Sequence, residues 1–74
     1  MRDVVLYLEA HEDDKWGDWD MVVELPGTPR VGEQIHATVH HDFRDRQAEF
    51  VVSGVIWTPD KPAFVVARRT AWLD

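Results

Sequence analysis

The chain has no cysteine, and that absence removes disulfides, thiolate metal sites and cysteine nucleophiles together. It holds a single serine, Ser53, so any serine-based nucleophile would have to be that residue. No apolar run exceeds five residues, the length of Val4 to Leu8. A secretory h-region needs about 7–15 apolar residues and a membrane-spanning helix about 20. Neither a leader nor a span is therefore expected, no membrane association follows, and the cytoplasm is the expected compartment. The sequence lacks internal repeats and low-complexity stretches, and no helical period outlasts one turn, although residues 69–74 could wind briefly. With 74 residues it is expected to form one domain, 1–74, around a single small core.

What the chain does have is acid, unevenly placed. Its 14 Asp and Glu against 8 Lys and Arg give a formal charge of -6. Residues 1–24 carry eight acids (Asp3, Glu9, Glu12, Asp13, Asp14, Asp18, Asp20, Glu24) against Arg2 and Lys15, and residues 25–74 balance. All of the net charge thus sits in the first third. General nucleic-acid binding needs a cationic footprint, which the chain as a whole lacks.

Alternation of apolar and polar residues predicts five strands. Residues 2–10 place Val4, Leu6, Leu8 and Ala10 on one face. Residues 11–18 have no apolar period and read as an acidic loop. Trp19, Met21, Val23 and Leu25 alternate cleanly through 19–25, and Pro26-Gly27-Thr28-Pro29 stops that strand. A third strand over 33–42 sets Ile35, Ala37, Val39 and His41 against Gln34, His36, Thr38, His40 and Asp42. Residues 43–47 read as a charged hairpin loop. Residues 48–58 are apolar on both faces, as a central strand is, with Gly54 marking a bulge. Pro59-Asp60-Lys61-Pro62 is a turn, and 64–72 a fifth strand. The expected fold is all-β: a small five-stranded antiparallel, SH3-like, partly open barrel, since a two-layer sandwich needs more strands.

The stretch Leu25-Pro26-Gly27-Thr28-Pro29-Arg30-Val31-Gly32-Glu33-Gln34-Ile35 resembles a turn of small bacterial SH3-like β-barrel proteins. In these a strand ends in Leu-Pro and a Pro-x-Val-Gly-Glu turn launches the next. Phe50 to Trp57 is similar to their central strand, so the resemblance spans residues 19–57. It implies a fold and no activity. Val5 to Ala10 followed by acids is also similar to eukaryotic SH3 domains. The tandem Trp pair and the Pro-Ser-Asn-Tyr stretch of those domains are absent, so their peptide groove is not carried over.

Few residues suggest chemistry. His36 and His40 lie about 13 Å apart along a strand, whereas ligands of one zinc ion all lie within about 2.1 Å of it. His40 and His41 point to opposite faces. A site built from His40, Asp42 and a neighbouring carboxylate is weaker than the reading as solvated histidines. Residues 12–18 lack the alternating oxygen ligands of an EF-hand. Ser53 sits in a buried-looking strand with no nucleophile elbow, and the acids have nothing to desolvate them. So small a domain is also expected to lack a pocket of about 300 Å³. No catalytic residue, metal or cofactor is expected, and the chain reads as a non-enzyme.

Trp16, within the acidic loop, and Trp19, at its end, remain. Either Trp19 packs in the core and Trp16 caps the barrel, or the two mark a contact surface with Asp13, Asp14 and Asp18. Indoles are enriched in interface hot spots, and an acidic rim steers a basic partner. The leading expectation is a protein-interaction module that binds a basic protein through this loop. One alternative is a nucleic-acid-associated barrel using Arg30, Arg44, Arg46, Arg68 and Arg69, if those arginines share a face. Another is an assembly subunit, homo-oligomeric through its first or last strand as an edge.

Overall fold

A computed structural model describes residues 2–10 and 17–74. The fold is all-β, with β1 (Arg2–Glu9), β2 (Trp19–Leu25), β3 (Gln34–His41), β4 (Arg44–Ile56) and β5 (Ala63–Trp72). They form one sheet in the order β2-β1-β5-β4-β3. The sheet curls into a nearly closed barrel with an unsealed seam between β2 and β3. At one end of that seam the Trp19 indole Nε1–H donates to the His40 carbonyl at 2.9 Å.

The sheet is mixed, which corrects the purely antiparallel expectation. β1 pairs with β2 antiparallel, as do β3 with β4 and β4 with β5, but β1 and β5 run parallel. Parity requires this. In an up-and-down run of five strands the first and the last point the same way, so the bond that joins them is a parallel one. A further consequence corrects the edge assignment: β1 and β5 are interior, and the edges are β2 and β3.

The inward positions follow the alternation. Val4, Leu6 and Leu8 of β1, Val39 of β3, Ala48, Phe50 and Val52 of β4, and Val65 and Ala67 of β5 form the buried core. Trp19, Met21, Val23, Leu25, Ile35, Ala37, Val55 and Trp72 pack around it. Strand β5 runs to Trp72, so residues 69–72 do not wind.

Three local features adjust the strand boundaries. First, β4 begins at Arg44 and not at Ala48. His41 pairs with Arg44, which leaves a turn of Asp42 and Phe43 alone. Both turn residues have positive φ, 54° and 65°, as a type I′ hairpin requires. That turn usually announces itself as Asn-Gly or Asp-Gly, and neither dipeptide occurs here. Second, the register of β4 against β5 shifts between Val52 and Gly54, and β5 carries a matching shift opposite Glu49 and Phe50. The residues left out of the ladder are Ser53 and Thr70. Their hydroxyls donate to the Val66 carbonyl at 3.2 Å and the Glu49 carbonyl at 3.3 Å. Ser53 is exposed, not buried, because the bulge turns it outward.

Third, the turn before β3 is locked. The Glu33 carboxylate accepts from the Arg30 N–H at 2.6 Å, and the Glu33 N–H donates to the Arg30 carbonyl at 3.0 Å. Gly32 and Glu33 exchange hydrogen bonds with Val52, at 2.9 Å each, while Gly32 holds φ 92°. The Val-Gly-Glu sequence thus anchors the connection to β4. Replacing Gly32 by Ala should destabilise the fold by about 1 kcal/mol, the order of the left-handed penalty. Replacing Phe43 by Gly should act in the opposite direction, by about 0.5–1 kcal/mol. Urea unfolding of the two variants beside the wild type reads both signs.

Candidate functional site

The barrel has a closed end, an open end and one apolar outer face, and each follows from side-chain parity. At the closed end Trp19 meets Phe50 and Trp72 edge-on, with ring centroids 6.1 and 6.3 Å apart, and His41 lies 4.6 Å from Trp72. The Arg46 and Arg69 guanidiniums sit 4.0 and 4.5 Å from the Trp72 ring centroid. Arg46 also reaches Asp74 at 3.2 Å, and Asp74 accepts from the Gln47 N–H. Burial pushes the Asp74 carboxyl up, but the Gln47 amide and the Arg46 charge outweigh it and hold it below its ordinary value. This end is plugged by aromatic rings and latched by the last residues.

The outer face is the feature that single-strand alternation misses. Val22 stands opposite Val5, Val5 opposite Phe64, and Phe64 opposite Ile56. These four residues form one row across β2, β1, β5 and β4, roughly 14 Å wide at the usual strand spacing. Val22 and Ile56 are 66% and 54% exposed. In the next row Tyr7 and Val66 extend the patch, and the Tyr7 ring stacks on Phe64 with centroids 6.0 Å apart.

Acids border this row on both sides. Asp3 and Glu24 stand directly opposite each other in one neighbouring row, and Asp20 stands beside Tyr7 in the other. Like charges directly opposite on a sheet destabilise it, by a few tenths to about 1 kcal/mol. Glu9 lies one row further and meets Arg68 at 3.8 Å. Asp18 completes the border. One of its oxygens accepts from the Tyr7 hydroxyl at 2.6 Å and the other from the Ala10 N–H at 2.9 Å. The phenol and the amide hold the Asp18 carboxyl below its usual range, and the same bond raises the Tyr7 hydroxyl.

Sequence reasoning named Asp13, Asp14, Asp18, Trp16 and Trp19 as a contact surface. Asp13, Asp14 and Trp16 lie outside the described residues. Asp18 is exposed on the border of the apolar row, whereas Trp19 points inward and packs on Phe50. The five arginines of the alternative reading do not converge. Arg30 lies in the β2–β3 connection at one end, and Arg44, Arg46 and Arg69 lie at the plugged end. Arg68 faces outward beside Glu9, opposite in sense to Arg69. His36 lies 3.7 Å from Glu49, and His40 lies 3.2 Å from Asp45. Among the described residues no three potential ligands gather at a metal-binding distance.

No protein-family model, curated protein or solved structure matches the chain at a significant level. Its own geometry therefore carries the functional argument. The missed residues were Val5, Val22, Ile56, Phe64, Tyr7 and Val66. Their signal was present, because β1 and β5 are apolar on both faces while an isolated barrel needs only one apolar face per strand.

The open end also departs from expectation. A hollow of about 420 Å³ lies between Leu25, Ile35 and His36 at the wide end of the seam, and one of about 540 Å³ lies in the mouth of the barrel. Both exceed the expected pocket volume, and both are walled by Gly27, Thr28 and Pro29 of the β2–β3 connection.

Asp18 is held against Tyr7 and Ala10 through a depressed carboxyl, which fixes the sign of a pH effect. The contribution is complete above the unfolded carboxyl value and is lost as pH falls through the lower folded value. Tyr7→Phe should return the Asp18 titration toward its ordinary range without unfolding the barrel. A carbon-detected NMR titration of the Asp18 carboxyl in both proteins checks this.

Proposed function

We propose that this protein is a non-enzymatic interaction module. The outer face of β2, β1, β5 and β4 receives a segment of a partner protein that carries both apolar and basic side chains. The observation that carries this reading is the aligned row Val22–Val5–Phe64–Ile56 between two acidic borders. Two physical arguments support it. Exposed valine and isoleucine gain roughly 25 cal/mol per Å² of apolar surface when covered. The opposed Asp3 and Glu24 carry a repulsion that a lysine or arginine placed between them would reverse.

Asp18 borders this surface, and Asp13, Asp14 and Trp16 are proposed as an extension of the contact. The partner is basic, association weakens with salt, and the module works in the cytoplasm.

The test uses an amphipathic lysine–leucine peptide as a defined probe, followed by amide chemical shifts. Shifts should concentrate on Val5, Val22, Ile56 and Phe64 and fade at high salt. Val22→Asp with Ile56→Asp, both on exposed positions, should weaken binding at least about tenfold, or 1.4 kcal/mol. If only an Asp13/Asp14/Trp16 to Ala variant loses binding, the contact moves off the sheet and onto that segment. If neither variant loses binding, the reading fails.

A further inference from the structure

Three features outside the proposed contact face have chemistry to offer: the strained hairpin tip at Phe43, the hollow at the wide end of the seam, and the mouth of the barrel. The tip is a single exposed ring, and the seam hollow presents His36 and Glu33 but no group that would select a ligand. The mouth is different.

Its shape follows from strand parity. Arg2 continues the inward positions of β1 beyond Val4, and Trp57 continues those of β4 beyond Val55. Both side chains therefore stand at the rim, with Val55 as the floor between them. The β2–β3 connection supplies the opposite wall through Thr28, Arg30 and Val31. Barrel mouths are among the preferred places for small ligands, and here the other end is closed by Trp19 and Trp72. Trp57 is 64% exposed and Val31 66%, so the rim offers an indole and a branched apolar group to solvent.

The charge at this mouth is opposite to that of the chain. Two guanidiniums, Arg2 and Arg30, line it, and no lining residue is acidic. Neither arginine forms an ion pair with any described residue. The nearest acid on the same connection, Glu33, is engaged by the Arg30 main-chain N–H instead. In a protein with 14 Asp and Glu, both cations of this mouth are thus without a carboxylate partner among the described residues. The Thr28 hydroxyl, beside them, likewise has no hydrogen bond to a described residue.

We infer that the mouth binds an organic carboxylate carried beside an aromatic or branched apolar group, as in the C-terminus of a peptide that ends in such a residue. The guanidiniums and the Thr28 hydroxyl take the carboxylate, and Trp57 and Val31 take the ring or branch. A singly charged group is favoured over a phosphate dianion because Glu33 and the overall charge of -6 repel the second charge. This site lies apart from the outer face and does not depend on that face having a partner.

The experiment follows the indole N–H resonance of Trp57, assigned with Trp57→Phe, during titration with N-acetyl-glycyl-phenylalanine, its C-terminal amide, and phenyl phosphate. The free acid should move the resonance saturably, and the amide should bind at least about tenfold more weakly. Arg30→Gln should weaken the acid by a similar factor, while Arg44→Gln, at the plugged end, should leave it unchanged. Backbone spectra of each variant report whether the fold is intact, and Arg2→Gln is the second variant if Arg30→Gln disturbs the turn. Equal binding of acid and amide overturns the assignment. So does indifference to both arginine variants, tighter binding of phenyl phosphate, or no shift up to about 10 mM.

Discussion

The parallel pairing of β1 with β5 is the constraint on which the rest of this barrel depends. Five strands running alternately up and down close only by joining first to last, and that junction lies in the middle of the sheet. It makes the two termini-bearing strands interior, gives each two neighbours, and leaves β2 and β3 as edges facing one another across a seam. It also aligns Val5 with both Val22 and Phe64, which is why an apolar row spans four strands and not two. A sheet of the same strands in another order would scatter those residues.

Charge follows the same geography. The acids of the first third are not a diffuse property of the chain. Asp3, Asp18, Asp20 and Glu24 border one face, while the arginines are spent on Trp72, Asp74 and Glu9 or gathered at the mouth. The barrel therefore presents a negative side and a positive end. An opposed pair such as Asp3 and Glu24 works against folding, so the bordering acids are better explained by what they face than by what they stabilise.

Much of the fold was legible because its signal is local. Alternation through Val4–Leu8 and Trp19–Leu25 placed β1 and β2, the Pro-Gly stretch ended β2, and Gly54 marked the bulge. A hairpin between β3 and β4 was legible, but its two-residue turn at Asp42–Phe43 was not, since both residues take a backbone conformation that their side chains disfavour and only the tertiary pairing imposes. The parallel junction was open to inference from strand parity alone. The outer apolar row was harder to see, because its four members come from four strands and become neighbours only through register. The mouth was invisible for a related reason: Arg2, Arg30 and Trp57 are far apart in sequence and meet only where three chain segments end together.

The distance along the chain between β1 and β5 also governs how the molecule comes to be made. Val4 finds its partner strand at Ala63, close to the other end of the chain, so the central ladder spans nearly its whole length. Such non-local pairing must be reached before it is rewarded, and it slows folding relative to a chain of local hairpins. During synthesis β1 has only β2 beside it, with its Val5 and Tyr7 face and its free edge both exposed, until β5 leaves the ribosome. The β3–β4 hairpin, closed by a two-residue turn, is the most local pairing in the sheet. A chain that stalls before β5 holds β1 with only one of its two neighbours in place.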